Sequence, residues 1–406
     1  MPIGWTGLNR AGAVPIVEDV LVRKFIPHPP QVPERNFKKI LIVRLSSLGD
    51  VIQTLPLPTV VRRAFPHAEI GWVIDTELAP AVKGHPDVDY IHCCDRNRWG
   101  RALKNPLGWP RIARETRSFI EEIRAAGYDC ALDVQGLFKS AVIPFFAGIR
   151  PRIGFAHRRE LSHFFYTERH LTKDEYFDPD RMHIEHMLTL ARAIGCDTQG
   201  YEIRLPEVES ENRSKVDLIL ERAFDRPNPL VAITPGTQWA SKRWPLEYWL
   251  ALIRLALAET EANFVLIGSN ADAPMGARLL EDLGGDARGR VLNLAGTTSL
   301  RELYALFERV AVTVAADTAP LHIAGAAGCH LVGLFGATPA ARTGPLSRND
   351  VVIMTAMPKL ACQPCQLRVC RYGTTECMRR LKPAEVFAAL KQALKGREGG
   401  RFSSGG

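Results

Sequence analysis

The feature that most constrains this chain is a pattern that occurs twice, far apart. An uninterrupted run of apolar, mostly β-branched residues ends in a small polar loop bearing glycine, and a helical pattern follows. Ile40-Leu41-Ile42-Val43 leads into Arg44-Leu45-Ser46-Ser47-Leu48-Gly49-Asp50. Leu230-Val231-Ala232-Ile233 leads into Thr234-Pro235-Gly236-Thr237-Gln238-Trp239-Ala240-Ser241-Lys242-Arg243-Trp244-Pro245. Such continuous runs fit strands covered on both faces, which is the state of a parallel sheet. Open α/β sheets bind ligands beyond the carboxyl ends of their strands. Two loops of this kind therefore predict two sheet domains facing each other across a cleft.

A chain of 406 residues favours two domains over one. Residues 1–36 are rich in proline without a sustained period and read as a loosely ordered extension. The first domain is expected over 37–205, with strands at 39–43, 70–74, 88–92 and 129–134. Its helices are expected at 51–65, where Pro56 and Pro58 must kink or delay the turn, around Ile112–Ile123, and around Ile184–Ile194. A polar stretch at 196–228 holding Pro206 and Pro227 marks the boundary. The second domain is expected over 229–382, with strands at 230–234, 264–268, 291–294, 310–315 and 331–335 and helices between them. A final helix at 383–395 tolerates Pro383 in its first turn, and 396–406 reads as a flexible tail. Repeated strand–helix alternation means parallel sheets with right-handed crossovers.

No apolar stretch approaches the roughly 18–20 residues that cross a bilayer, and the N-terminus has no secretory apolar core, so a cytoplasmic location is expected. The formal charge of +8 suits an anionic partner: a phosphorylated substrate, an anionic lipid surface or a nucleic acid. Neither an aromatic-plus-basic RNA signature nor a recognition-helix pattern is present, so nucleic acid ranks last.

Three loops carry groups that can do chemistry. Asp50 lies at a helix start, where it is either a cap or a carboxylate able to take a proton from a substrate hydroxyl. Its loop lacks the Gly-Lys-Ser/Thr ending of a phosphate-binding loop and the three glycines of a dinucleotide fingerprint. Thr237 and Lys242 either hold phosphate oxygens, lysine acting as a compact point charge, or are a solvated pair before a Trp-Pro helix start. Asp317-Thr318-Ala319-Pro320-Leu321-His322 opens another helix. Asp317 is again a cap, or part of a helix N-terminus whose free N–H groups favour a diphosphate.

Taken in order, these motifs resemble the glycosyltransferase family 9 heptosyltransferases, which extend the inner core of lipopolysaccharide. The matching residues are 40–50 with Thr54-Leu55-Pro56, Trp72, Asp133-Val134-Gln135-Gly136-Leu137, Ile153-Gly154-Phe155, Thr237 with Lys242 and Trp244-Pro245, and Asp317-Thr318 with His322. The resemblance implies a GT-B fold, two Rossmann-like domains, with the C-terminal helix crossing back to the first. It implies an ADP-heptose donor, an inverting transfer that needs no metal or other cofactor, and a Kdo–lipid A acceptor at the cytoplasmic face of the inner membrane. A monomer is expected. By motif position Asp50 corresponds to the catalytic base, with Lys242 as the second catalytic group. Thr237 and Lys242 correspond to donor-phosphate residues, and Asp317, Thr318 and His322 to the donor-contacting helix start. The family often carries an acidic residue after the strand at 264–268. Here Ser269-Asn270 stand there, with Asp272 slightly later, so the ribose contact is assigned to the Asn270 amide.

On the acceptor side Arg96, Arg98, Arg101 and Lys104 form one basic group; Lys139, Arg152, Arg158 and Arg159 form another. Singly each is ordinary surface charge; together with Ser47 the second group is assigned to an anionic acceptor. Four of nine cysteines, Cys362, Cys365, Cys370 and Cys377, cluster near the C-terminus. They are read either as a structural zinc site or as a reduced structural cluster. Three other functions compete: transfer to a later core heptose, a catalytically idle nucleotide-sugar-binding scaffold, and a nicotinamide-dependent dehydrogenase. The absent G-x-G-x-x-G weakens the last.

Overall fold

The computed structural model describes residues 35–102, 105–157 and 159–400. Most of the N-terminal extension, Lys104, Arg158 and the last six residues of the tail lie outside them. The described chain divides into two compact units, 35–207 and 208–400.

The first unit is built on a six-stranded parallel sheet: β1 (Lys39–Val43), β2 (Glu69–Asp75), β3 (Tyr90–Cys94), β4 (Cys130–Asp133), β5 (Arg152–Phe155) and β6 (Glu168–His170). Its strand order is β3-β2-β1-β4-β5-β6, with Val43 facing Val73 on one side and Asp133 on the other. The second unit repeats the plan with β7 (Leu230–Thr234), β8 (Asn263–Leu266), β9 (Val291–Asn293), β10 (Val310–Ala316), β11 (His330–Phe335) and β12 (Val351–Thr355), in the order β12-β11-β10-β7-β8-β9. Both follow the doubly wound Rossmann order. In such a sheet the chain reverses direction between its first and fourth strands, and a crevice opens there. Those positions fall after β1 and β4 in the first unit and after β7 and β10 in the second. The loops singled out in the sequence are these same loops.

The central strands are apolar because helices cover both faces: Ile40–Val43 and Val231–Ile233 are fully buried. The helix Leu246–Glu259 drives Trp249, Leu252, Ile253 and Ala256 into the second core. Trp244 meets Trp249 edge-on at 4.7 Å and donates its indole N–H to the Leu381 carbonyl at 2.9 Å. A buried indole needs such a partner.

Several expectations change. The helix expected at 51–65 is two, Leu48–Thr54 and Pro56–Ala64. Pro56 has no N–H to continue the first and is suited to the first turn of the second. The polar stretch 196–228 contains the helix Ser210–Ala223. Only Val216 is buried there, so no apolar stripe announces it. The charge pair Lys215–Glu302 ties it to the helix Leu300–Phe307, and Arg213–Glu308 and Arg309–Asp217 tie it to the turn after that helix. The strands β5, β6 and β12 were also missed. The C-terminal helix runs over Pro383–Gly400 and belongs to the second unit, not the first. Val386, Phe387 and Leu390 pack in that unit's core, against the helix Leu246–Glu259 and strands β10 and β11. Among the described residues no helix is long and apolar enough to cross a membrane.

Candidate functional site

Each unit places a carboxylate at its switch point and holds it ionised. In the first unit the loop after β1 is fixed from the loop after β4. The Gln135 side-chain amide oxygen, Oε1, accepts the N–H groups of Leu45 at 2.7 Å and Ser46 at 3.2 Å. Gln135 is itself held by Asp133. That buried carboxylate accepts the N–H groups of Gln135 and Gly136 and the hydroxyls of Ser140 (2.8 Å) and Tyr166 (2.7 Å). Burial nevertheless keeps the Asp133 pKa above the usual range. Gly136 adopts φ +69°, and a Cβ there would lie 2.6 Å from the Phe155 ring, so the turn requires glycine.

On this base stands Asp50. Its Oδ2 accepts the Ser47 N–H at 3.1 Å and the Ser47 hydroxyl at 2.9 Å, and pairs with the Arg44 guanidinium at 3.0 Å. Its Oδ1 lies 3.6 Å from His183 Nε2. Arg44 is 4% exposed and Asp50 39%, so the cation is sealed behind a carboxylate that solvent reaches. Arg44 also donates to the Val134 carbonyl at 2.8 Å. Partial burial pushes the Asp50 pKa up, but Arg44, His183 and the two Ser47 hydrogen bonds outweigh it and hold the pKa at about 2. The capping role and the presented carboxylate thus coexist. In the acid range where Asp50 titrates, an ordinary imidazole is protonated. Removing it removes a positive neighbour, so His183→Ala is expected to raise the Asp50 pKa above about 2. A carboxyl-carbon NMR titration measures this; an unmoved pKa means that His183 carries no charge beside Asp50.

In the second unit the centre is Asp317, at the end of β10 and 7% exposed. Its Oδ2 accepts from Lys242 Nζ (2.8 Å), Thr338 Oγ1 (2.7 Å) and Thr343 Oγ1 (3.1 Å), and its Oδ1 lies 3.5 Å from His322 Nε2. Burial alone raises its pKa; His322 and Lys242 overturn this and take it far below the usual carboxylate range. Lys242 Nζ also sits 4.5 Å above the Trp239 ring, an arrangement that favours a cation. Thr318 stands at the N-cap position of the helix Ala319–Ala327 without a side-chain capping hydrogen bond, and Pro320 lies in the first turn, so free N–H groups and the positive dipole end lie beside Asp317. Thr237 is buried and donates its hydroxyl to the Trp239 carbonyl at 2.7 Å. Thr237, Lys242, Asp317 and Thr318 therefore belong to the loops after β7 and β10, and His322 to the first turns of the helix Ala319–Ala327 that follows β10.

The remaining assignments fare unevenly. Asn270 is exposed and lies against Gly296. It is Asp272 whose carboxylate reaches the end of β7: it packs on Gly236 and Gly268, where any side chain would collide with it. Asp272 is held there by the Ser269 N–H (2.8 Å) and hydroxyl (2.7 Å). Ser47 is exposed and bound to Asp50. Lys139 is half-buried; burial, then the nearby Arg96 charge, lowers its pKa, while Glu160 and Asp75 oppose this. Arg96 itself is anchored to buried Asp75 at 3.0 Å. Arg152 is not presented to a ligand. It is buried, donates to the Phe165 and Ile149 carbonyls and lies against the Phe145 ring. Arg159 is exposed.

The four clustered cysteines line one pocket of about 300 Å³. Burial, then the neighbouring Cys365, Cys370 and Cys362 sulfurs, pushes the Cys377 thiol up to about 11. Cys370, although partly desolvated, is drawn below the usual thiol range by backbone N–H groups of residues 372–375. Among the described residues no three His, Cys, Asp or Glu side chains are arranged to hold a metal ion, and no step of the chemistry below passes through these thiols.

Sequence reasoning missed His183, Thr338 and Thr343. Thr338 and Thr343 follow β11, one strand beyond the switch point. Arg44, Gln135 and Trp239 stood inside the quoted motifs, but nothing in the sequence gave them their partners.

A family model described as Glycosyltransferase family 9 (heptosyltransferase) matches residues 116–375. The chain is 28% identical to lipopolysaccharide heptosyltransferase 1 of Pseudomonas aeruginosa over 374 residues, 88% of this chain and 98% of that protein. Among solved structures it is similar to E. coli ADP-heptose lps heptosyltransferase II (TM-score 0.72, 22% identity, 89% of this chain and 99% of that one). It is similar also to E. coli heptosyltransferase WaaC with ADP (TM-score 0.66, 22% identity, 87% and 99%).

Proposed function

We infer the function from one premise: this chain belongs to glycosyltransferase family 9, the heptosyltransferases. It is a glycosyltransferase, and the reading its site supports best is transfer of a heptose from ADP-heptose to the Kdo/inner-core region of a lipopolysaccharide precursor. The observation that carries the reading is one site plan used at both switch points. Asp50 with Arg44 and His183, and Asp317 with Lys242 and His322, are carboxylates held ionised by basic neighbours at helix starts.

The chemistry follows from where charge must appear. A sugar on a diphosphate already carries a leaving group. As its anomeric carbon–oxygen bond lengthens, positive charge grows on the ring and negative charge on the diphosphate. Lys242 and the N–H groups at the start of Ala319–Ala327 are the donors for the diphosphate, and they are in place before reaction begins. Asp317 fixes the Lys242 ammonium; the Asp272 carboxylate is the group proposed for the ribose hydroxyls, in place of Asn270. Asp50 takes the acceptor proton. With a pKa near 2 it is always ionised at neutral pH but weakly basic. Proton transfer is therefore late, when the hydroxyl oxygen is already bonding to the anomeric carbon and has become strongly acidic. A single displacement inverts the anomeric centre. The positive charge comes from protein groups, so the transfer is proposed to need no metal.

Lys139, beside the Asp50 site, is the cation proposed for the anionic acceptor. Lys139→Glu is expected to raise the acceptor KM by about tenfold or more, a loss of one charge-assisted contact, and to leave ADP affinity unchanged. Steady-state kinetics in acceptor, with calorimetry of ADP, separates the two; an unchanged KM removes Lys139 from the acceptor site. The reading as a whole is tested by nucleotide binding and turnover. ADP is expected to bind and NAD not to bind, and ADP is expected to be released from ADP-heptose only when acceptor is present. Binding of ADP-heptose without release under any condition would favour an idle scaffold, and binding of NAD a dehydrogenase.

A further inference from the structure

In the first unit, apolar side chains gather on the surface instead of scattering. Half of the large hydrophobic residues that stand exposed among the described residues lie on three adjoining segments. Leu107 (89% exposed) lies in the turn Pro106–Gly108, and Trp109 opens the helix Trp109–Ala126 that follows. Phe138, Phe145 and Phe146 lie on the helix Phe138–Phe146, and Leu161 and Phe164 (70% exposed) on the turn Arg159–Phe165. The three segments form one surface. Trp109 and Phe146 line the same open groove of about 700 Å³ with Ile112, Thr116 and Ile120. Phe165 bridges Phe138 and Phe145 at ring separations of 5.5 and 5.2 Å.

Charge frames this surface. Arg117 and Arg124 line the groove, and Arg124 donates to the Phe146 carbonyl at 2.6 Å with no carboxylate on it among the described residues. Glu121, the carboxylate that lines the groove, is matched by Arg117 at 2.7 Å, and Glu115 by Arg111; Glu122 turns to His92 at 2.5 Å. Exposed Trp and Phe beside a guanidinium group that no described carboxylate matches suit the boundary between acyl chains and anionic headgroups, where aromatic rings partition and arginine reaches phosphate. Isolated exposed apolar residues need no explanation; a contiguous patch marks an interaction surface.

We propose that this face docks the enzyme on an anionic lipid bilayer. The inference rests on the lipid-borne acceptor proposed above for its purpose. The helix Phe138–Phe146 spans about 14 Å at 1.5 Å per residue, with Lys139 near one end and Phe145-Phe146 at the other. Docking by the aromatic end leaves the Lys139 end, with Arg44 and Asp50 nearby, within a sugar chain's reach of the headgroups.

The test is sedimentation of the full-length protein with acceptor-free vesicles, with ADP affinity, circular dichroism and ultracentrifugation measured on the same samples. The wild type is expected to pellet with phosphatidylethanolamine–phosphatidylglycerol vesicles, less so as salt rises, and weakly with phosphatidylcholine alone. Trp109→Ser with Phe146→Ser is expected to lower partitioning by about tenfold or more, with ADP affinity and the dichroism spectrum unchanged. Arg124→Glu, at the guanidinium that lines the groove without a matching carboxylate among the described residues, is expected to abolish the preference for anionic vesicles. A wild type that stays in the supernatant, or a Trp109/Phe146 variant that pellets like wild type, overturns the proposal. So does a wild-type dimer that the same pair of substitutions dissociates, which would make this face a contact between copies. Because the vesicles carry no acceptor, failure to dock leaves the transfer reaction untouched, and failure to transfer leaves docking untouched.

Discussion

Asp50→Asn is expected to lower kcat by about 10²–10⁴-fold, the range for loss of a positioned general base, while ADP affinity stays within about twofold. The amide keeps the size of the carboxylate and can still accept the Ser47 N–H that now meets Oδ2 at 3.1 Å. It cannot take a proton. The asparagine variant is cleaner than alanine because Arg44 is 4% exposed and depends on Asp50 for its carboxylate. Emptying that position leaves a sealed guanidinium with the Val134 carbonyl and His183, which mixes a folding defect with the catalytic one. Asp50 belongs to the first unit, and every group assigned to the diphosphate belongs to the second, so the rate and ADP affinity should separate. Equal losses of both would make Asp50 a structural residue of its loop.

Asp317→Ala is expected to cost about 3–5 kcal/mol of stability, the cost of removing one partner from a buried ion pair, and to abolish measurable ADP binding. The residue is 7% exposed and gathers Lys242, Thr338, Thr343 and His322 around one carboxylate. Its loss leaves the Lys242 ammonium, 15% exposed, without its counter-ion and the two hydroxyls without their acceptor. Adding Lys242→Met removes the stranded charge, so the double variant should recover much of the stability but none of the ADP affinity. Chemical denaturation and calorimetry on the two variants read the two effects independently. Wild-type stability in Asp317→Ala, or ADP binding in the double variant, would mean that this cluster is neither a buried ion pair nor the diphosphate site.

The fold was legible where burial leaves its mark on composition. Strands covered on both faces must be apolar throughout, so Leu230–Thr234 agrees residue for residue with its expectation and Lys39–Val43 does too. The edge strand β6 carries no such mark: Glu168-Arg169-His170 pairs with β5 through backbone groups while its side chains stay polar; the short interior β5 and the apolar edge strand β12 were missed for no such reason. Helix Ser210–Ala223 escaped because charge pairs, not an apolar stripe, attach it. At the candidate site, motif position singled out Asp50, Lys242 and Asp317, which the fold places at the switch points, but partners brought in from distant segments were invisible. His183 is 133 positions from Asp50, and no local pattern couples them. The exchange of Asn270 for Asp272 has the same origin. A 3₁₀ turn over Asn270–Asp272 carries the later residue back toward Gly236, which residue spacing alone does not reveal. Arg152 was misassigned because a guanidinium in the sequence looks the same whether it meets a ligand or two carbonyls of its own fold.

The central claim is that this chain joins a heptose to an acceptor sugar. Mass spectrometry of a reaction containing the full-length protein, ADP-heptose and Kdo2–lipid A addresses it directly. The acceptor is expected to gain the mass of one heptosyl residue, in step with ADP formed, with the wild type and not with Asp50→Asn. An acceptor of unchanged mass from protein that binds ADP, or an equal gain with the Asp50 variant, would contradict the account.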